Sequence, residues 1–246
     1  MSSFDDPAFY GDQWAGVYDT WYAPDPTAAV EFLVDLAGDE KVLELAIGTG
    51  RVGLPLAARG IEVHGLDASS AMIEQLRAKP GGHAIEVTIG DMAHFAVPGQ
   101  FRLVYLVLYG IFALLTQDRQ TACFRSVARV LEPGGVFVIE CSVPDIARFR
   151  NGQAAHVVQV TEDTAVLQLS RYDAVTQRIN TQSLMFDQRG MHMLPNPMRY
   201  AWPAELDEMA GKAGLRLKER YGDWDRQRFT ATSTKHISVY EHSVNV

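Results

Sequence analysis

Between residues 41 and 141, short runs rich in β-branched side chains alternate with longer stretches in which apolar residues recur every three or four positions. Continuous apolar runs suit strands covered on both faces, and the wider spacing suits helices laid on a sheet. The pattern therefore predicts βαβ units around a parallel sheet. The predicted strands are KVLELA (41–46), IEVHGL (61–66), AIEVTI (84–89), RLVYLV (102–107) and GVFVIE (135–140), each bounded by Gly, Pro or Asp. The predicted helices are 51–59, 69–79 and 117–131. The last carries Cys123, Val127 and Val130 at helical spacing, and Glu132-Pro133-Gly134-Gly135 stops it with both helix breakers.

Two regions break this rhythm. Before the first strand, Phe9, Tyr10, Trp14, Tyr18, Trp21 and Tyr22 form an aromatic arm that leads through Pro24 and Pro26 into a helix at 27–37. After Pro144 the residues from about 154 to 201 read as short alternating runs, HVVQV, AVLQLSRYD and QRINTQSLMF, separated by turn signals such as Thr161-Glu162-Asp163. Alternation with a period of two predicts a small antiparallel insertion. A helix at 203–213, ended by Gly214, and strands LRLKERY and HISVYEH complete the chain. The division expected is an arm (1–37), a core (38–145 with 202–246) and an insertion (146–201).

Composition narrows the function. With 246 residues, 47% of them apolar, the chain can fill one large core or a core carrying an insertion, and it is not intrinsically disordered. The net charge of −8 disfavours a phosphate backbone or an anionic membrane as partner, because both attract basic patches. A small substrate is the default. The two cysteines, Cys123 and Cys141, lie in no metal-ligand or C-x-x-C spacing, so neither a disulfide framework nor a metal is expected. The N-terminus, MSSFDDPAFYGDQ, has no basic and apolar signal pattern. The longest uncharged apolar stretch, 103–115, falls short of the roughly 20 residues that span a bilayer. A cytoplasmic protein is expected.

The most informative stretch is Val42-Leu43-Glu44-Leu45-Ala46-Ile47-Gly48-Thr49-Gly50-Arg51: a strand, a glycine-containing turn and a helix start. Gly48 and Gly50 permit close approach of a ligand to backbone, although a tight βα turn explains them as well. Asp67, with Ala68 after it, ends the second strand and is placed to take two ribose hydroxyls, or to N-cap the following helix, which Ser69 or Ser70 could do instead. Gly90-Asp91-Met92 ends the third strand, where Asp91 can accept from an adenine amino group or serve as a loop Asp. Three such features at successive strand ends follow the carboxyl edge of an open sheet, where these folds bind ligands. No G-x-x-x-x-G-K-[ST] is present, which disfavours a nucleoside triphosphate in a P-loop.

ELAIGTGR, GLDASSAMIEQLRAK, GDMAHF and LEPGGVFVIE resemble the motifs of the class I S-adenosylmethionine-dependent methyltransferases over residues 38–143, with Ala46 where the commonest form has glycine. The aromatic arm, the insertion and the segments YAWPAEL and FTATSTKHISVY look like small-molecule and peptide methyltransferases of bacterial secondary metabolism, among them deoxyamino-sugar and peptide α-N-methyltransferases. The resemblance implies an α/β fold: a Rossmann-like seven-stranded sheet, mostly parallel with an antiparallel last strand, plus the β insertion as a substrate lid. It also implies S-adenosyl-L-methionine as cofactor. Glu44 and backbone at Ala46 and Gly48 would face the methionyl amine, joined by backbone near Leu106, with Thr49, Gly50 and Arg51 also binding the cofactor. Asp67 and Ala68 would hold the ribose, Gly90, Asp91, Met92 and Met72 the adenine, and Tyr18 or Tyr22 the methionyl carboxylate.

Methyl transfer from a sulfonium needs in-line alignment and exclusion of water more than a protein nucleophile. A base matters only where the acceptor begins protonated. Glu140 closes an apolar strand at the carboxyl edge and is the first candidate for it, with an ion pair as the bland alternative. Tyr109 follows the fourth strand near the expected methyl position; Tyr200 and Trp202 are further candidates for binding acceptor, ahead of His156, His192, Trp224 and His236, while His94 reads as structural. Leu108-Tyr109-Gly110-Ile111 lacks the Asn/Asp-Pro-Pro-aromatic pattern for nucleobase amines, and no Asp-rich cluster suggests Mg²⁺. The expected partner is a small molecule or short peptide methylated on nitrogen or oxygen by a monomer or homodimer, with neither nucleic acid nor membrane involved. An NAD(P)-dependent oxidoreductase and a non-catalytic S-adenosylmethionine-binding module are the competing readings. Glu44 and the incomplete G-x-G-x-x-G favour the methyl donor over the dinucleotide.

Overall fold

The structure, a computed structural model, describes residues 3–21, 24–188 and 190–243. In chain order the first strands are β1 (Val42–Leu45), β2 (Val63–Asp67), β3 (Glu86–Ile89), β4 (Phe101–Leu106) and β5 (Leu131–Ser142). The insertion supplies β6 (Gln153–Val160), β7 (Ala165–Asp173), β8 (Arg178–Asp187) and β9 (Gly190–Arg199), and the chain closes with β10 (Leu215–Tyr221) and β11 (Lys235–His242). The helices are α1 (Phe9–Trp14), α2 (Tyr18–Trp21), α3 (Thr27–Ala37), α4 (Gly53–Ala57), α5 (Ser70–Arg77), α6 (Gln117–Val130) and α7 (Pro203–Lys212).

The main sheet has the order β10-β11-β5-β4-β1-β2-β3, and β11 runs against both of its neighbours. It is the Rossmann-like sheet expected. Its strands alternate between two apolar layers. Val42, Leu103, Tyr105, Val138 and Val239 pack with Phe32 and Leu33 of α3, Leu56 of α4 and Leu76 of α5. Leu43, Leu45, Val104, Phe137, Ile139 and Tyr240 pack with Phe124 and Val127 of α6 and Leu206 and Met209 of α7. Burying both faces explains why the strands read as nearly continuous apolar runs. All strand carboxyl ends except that of β11 therefore meet on one edge, where β11 begins.

Two sequence expectations are corrected. The Pro133-Gly134-Gly135 segment does not merely stop the helix: β5 begins at Leu131, directly after α6, and carries it as an irregular stretch. The pairing register steps from Phe101↔Leu131 to Leu103↔Val136, so β5 absorbs the extra residues opposite β4. The insertion contains four strands in the order β6-β7-β8-β9, not three runs. Pro195 and Pro197 disguise β9 as a loop, but β9 is an edge strand, where only alternate N–H groups face a neighbour and proline is tolerated.

One face of the insertion sheet carries exposed Val160, Leu169, Phe186, Met191 and Met193, while Val166, Thr181, Ser183, Met185 and Leu194 are buried. The Ser170 and Thr181 hydroxyls bond at 2.8 Å on the buried side. The insertion meets the core through Arg199, whose guanidinium donates to Gln120 of α6 at 2.6 Å and to Glu205 of α7 at 2.5 Å. Among the described residues no helix is long and apolar enough to cross a membrane.

Candidate active site

The turn after β1 puts Ala46 at φ 52 and Gly48 at φ 55, so that the backbone folds back under the end of β2. Ala46 stands where the family has glycine, and a side chain in this region costs about 1–2 kcal/mol. Asp67 locks the turn: its carboxylate accepts from Gly48 N–H at 2.7 Å and from Ser69 N–H at 2.9 Å. Burial pushes the Asp67 pKa up. A carboxylate has four lone-pair sites, so a desolvated one held by backbone donors still has room for hydroxyl donors. That is the chemistry a ribose needs, and the residues present fit an adenosyl ligand here. Gly50 has a different role. A Cβ on it would lie 2.3 Å from Leu76 of α5, so this glycine lets α5 pack against the turn.

Glu44 is fully buried on the α3 side of the sheet, where its carboxyl takes the Tyr105 hydroxyl at 3.0 Å and the Gly53 N–H at the start of α4. Desolvation raises its pKa to about 8. A buried, largely neutral carboxyl committed to these donors holds the turn from beneath. Thr49 and Arg51 are likewise drawn to the arm: the Thr49 hydroxyl donates to Asp19 at 2.6 Å, and Arg51 donates to the Pro24 carbonyl at 3.1 Å.

The arm lies across these loops and is latched at both ends. In α1, Asp12 accepts from the Ser69 hydroxyl at 2.6 Å, and Trp14 Nε1–H donates to Pro195 O of β9 at 2.9 Å. In α2, Asp19 pairs with Lys79 at 2.6 Å, and Lys79 also donates to Thr49 O at 2.8 Å. Gly11 makes the docking sterically feasible, since a Cβ there would lie 2.4 Å from Ser69 Cβ. Tyr10, Trp14, Tyr18, Met72 and Leu194 form one apolar cluster, which joins arm, α5 and insertion. Sequence reasoning missed Gly11, Asp12, Asp19 and Lys79; isolated carboxylates in an aromatic arm give no sequence signal of where they dock. Tyr22 lies outside the described residues.

At the end of β3, Asp91 accepts from Ala93 N–H at 2.9 Å, and both its oxygens are within 3.1 Å of Arg119 Nη2 of α6. Met92 packs on the main apolar layer beside them. Arg119 was also unmarked in the sequence, because the helix that carries it begins far along the chain from Asp91. Gly90 donates its N–H to Asp67 O at 2.8 Å, which ties the second and third strand ends together, and Ala68 stands half-buried between them and α5.

Beyond the buried Leu106, Leu108 and Tyr109 take φ 49 and φ 62 in succession before a 3₁₀ turn at Gly110–Ala113. Glu140 meets this turn. It is 5% exposed, and its carboxylate accepts from Leu108 N–H at 2.9 Å and Trp224 Nε1–H at 3.2 Å, with Lys235 Nζ at 3.5 Å. At Glu140 the structure has the ion-pair alternative: the carboxylate is engaged by three donors and shut from solvent. Tyr109 remains at the β4 end, half-buried against the core. Tyr200 is buried at the junction of insertion and core, its hydroxyl 3.0 Å from that of Tyr172, and Trp202, exposed, precedes α7 with its ring edge-on to Tyr200. Both thiols are buried, which pushes their pKa values up. Among the described residues no three His, Cys, Asp or Glu side chains are grouped to hold a metal.

Residues 42–135 match the family model described as a methyltransferase domain. The chain is 37% identical to the CcbJ methyltransferase of Streptomyces caelestis, covering 98% of this chain and 100% of that one, and the two structures superpose with a TM-score of 0.91. It is 27% identical to the cypemycin N-terminal methyltransferase of a Streptomyces species over 81% of this chain and 82% of the relative. It is 33% identical to the dTDP-4-amino-2,3,4,6-tetradeoxy-D-glucose N,N-dimethyltransferase of Saccharopolyspora spinosa over 48% of this chain and 47% of that protein.

Proposed function

Because this chain belongs to the class I S-adenosylmethionine-dependent methyltransferases, we propose that it methylates a nitrogen, the free amine of a short peptide or of an amino-substituted small molecule, in bacterial secondary metabolism. The enzyme transfers a methyl group from S-adenosylmethionine to a nitrogen or oxygen of a small molecule or peptide; the choice of nitrogen is the proposal. The observation that carries it is the commitment of Glu140 to Leu108, Trp224 and Lys235. A phenol, with a pKa of about 10, needs a nearby base to become a nucleophile at neutral pH, whereas a neutral amine attacks with its own lone pair. Two relatives named for amine acceptors, at a peptide N-terminus and on an amino sugar, support the same choice.

When bound, S-adenosylmethionine supplies an electrophilic methyl on a positively charged sulfur. The chain's work is then to bind, align and dry the site. Asp67 and Ala68 take the ribose; Asp91, oriented by Arg119, and Met92, Met72 and backbone at Gly90 take the adenine. Backbone at Ala46, Gly48, Thr49, Gly50 and Leu106 flanks the methionyl end, with Glu44 acting only through the turn it supports. Tyr18 or Tyr22 of the arm serves the methionyl carboxylate. Residues 1–37 close over the cofactor and residues 146–201 roof the acceptor, which excludes water and leaves proximity to supply most of the acceleration. Tyr109 narrows the acceptor channel at the methyl end, and Tyr200 and Trp202 shape its far wall.

The test is mass spectrometry after incubation with S-adenosylmethionine and a panel of free-amine peptides, amino sugars and phenols. Amines are expected to gain methyl groups, with kcat/KM rising with pH until the acceptor's own ammonium is titrated. Methylation confined to phenols would overturn the nitrogen reading, and failure to bind S-adenosylhomocysteine would overturn the cofactor site.

A further inference from the structure

Two consecutive non-glycine residues with positive φ, Leu108 and Tyr109, stand at the end of β4, at the point where the acceptor must meet the methyl group. Such backbone persists only where its surroundings over-determine it. The Gly110 N–H to Val107 O and Phe112 N–H to Tyr109 O bonds close the turn from within, and one residue of β5 reaches both of its left-handed positions. Glu140 accepts from Leu108 N–H through its side chain at 2.9 Å and from Tyr109 N–H through its own carbonyl at 3.1 Å. Its second carboxylate oxygen faces the other way, to Trp224 Nε1–H at 3.2 Å and Lys235 Nζ at 3.5 Å; Lys235 in turn pairs with Asp223 at 2.7 Å. Trp224 itself is anchored, 8% exposed and edge-on to Phe32 of α3.

We propose that Glu140 is a positioning residue that holds the left-handed Leu108–Tyr109 turn at the methyl end and couples it to Trp224 in the loop between β10 and β11 and to Lys235 at the start of β11. Residues 222–234 form that loop, and Asp223, Gln227, Arg228 and Lys235 are among the residues lining an open depression of about 480 Å³ at the carboxyl edge. A shift in this loop, transmitted through one carboxylate, moves the backbone that carries Tyr109. The inference rests on the methyltransferase reading for its kinetic consequence and on geometry alone for its structural one.

The test uses the full chain with Glu140→Gln and the double variant Leu108→Gly/Glu140→Gln. Glutamine keeps the shape but replaces one acceptor oxygen by a donor, so it cannot satisfy Leu108 and Trp224 together. Hydrogen exchange at the Leu108 and Tyr109 amides, read by mass spectrometry without any acceptor, is expected to quicken about tenfold in E140Q. Affinity for S-adenosylhomocysteine is expected to stay within about twofold, and kcat with an amine acceptor to fall about 10²-fold at nearly constant KM. The shape of the pH profile is expected to persist, whereas loss of its acidic limb would make Glu140 a base and overturn the proposal. Glycine adopts positive φ without a steric penalty, so Leu108→Gly is expected to restore kcat in E140Q to within about fivefold of wild type. Unchanged exchange in E140Q, or no rescue by L108G, refutes the role. If E140Q does not fold, recovery of folded protein by L108G is the same rescue and its absence the same refutation. Wild type failing to bind S-adenosylhomocysteine would instead strike the methyltransferase reading and leave the exchange result standing.

Discussion

In β1 the Glu44 carboxyl lies fully buried against Tyr105 and Gly53, and burial raises its pKa from 4.5 to about 8. Between those values the folded protein keeps a proton that the unfolded chain has lost, so this group's contribution to stability is full below the lower value and is lost as pH rises through the upper one. His236 acts with the opposite sign. It is buried beside Phe229 and bonded to Ser238, and burial lowers its pKa from 6.5 to about 4. The unfolded chain takes up the extra proton in that window, and stability is lost as pH falls through it. Glu44→Gln should therefore remove the alkaline-side decline alone. Urea unfolding at about pH 5 and about pH 8 is expected to show wild type losing ground to E44Q with rising pH, and a constant difference would mean that Glu44 does not titrate there.

Among elements, the arm most directly links structure to function. Helices of six and four residues are too short to persist alone, and α1 and α2 are held by Ser69, Pro195, Thr49 and Lys79. Ser69 and Thr49 belong to the turns proposed to hold the adenosyl group, so the proposal makes docking the arm and closing that site one event. Gly11→Val drives a side chain into Ser69 and should undock α1 without touching either sheet layer. Only the docked fraction then binds, so S-adenosylhomocysteine is expected to bind about tenfold or more weakly by titration calorimetry, with unfolding changed by less than about 1 kcal/mol. Equal affinity would show that the arm is no lid.

At the scale of the whole molecule, the insertion is fixed to the core by a buried polar joint. Arg199 at the end of β9 reaches Gln120, Gln177 and Glu205, while Gln120 also donates to the carbonyls of Ile111 and Arg199. The joint therefore sets the insertion relative to the turn that follows Tyr109. Removing one partner from such a cluster leaves a poorly solvated carboxylate and typically costs about 3–5 kcal/mol. Arg199→Ala is expected to lower stability on that order in urea unfolding and to impair acceptor turnover more than binding of S-adenosylhomocysteine. A loss below about 1 kcal/mol would show that the joint is dispensable.

The order of strands and helices in the core, and the three strand-end signatures, were legible in the sequence because they rest on local rules: side-chain period, turn residues and breakers act over a few positions. The position of Asp67 was legible for the same reason, since its place at the end of β2 follows from the pattern alone. The tertiary structure decided the rest. Whether Glu44 faces a ligand or the underside of a turn depends on which face of β1 it occupies and what packs there. Whether Glu140 is a base or a brace depends on Leu108, Trp224 and Lys235, which are remote in sequence and converge only once β4, β5 and β11 are side by side. The fourth insertion strand hid behind two prolines that only an edge position excuses, and the arm's docking residues carried no local signal at all. Local patterns specify elements; a carboxylate's role is set by donors brought to it through long-range pairing, and that information exists only in the folded chain.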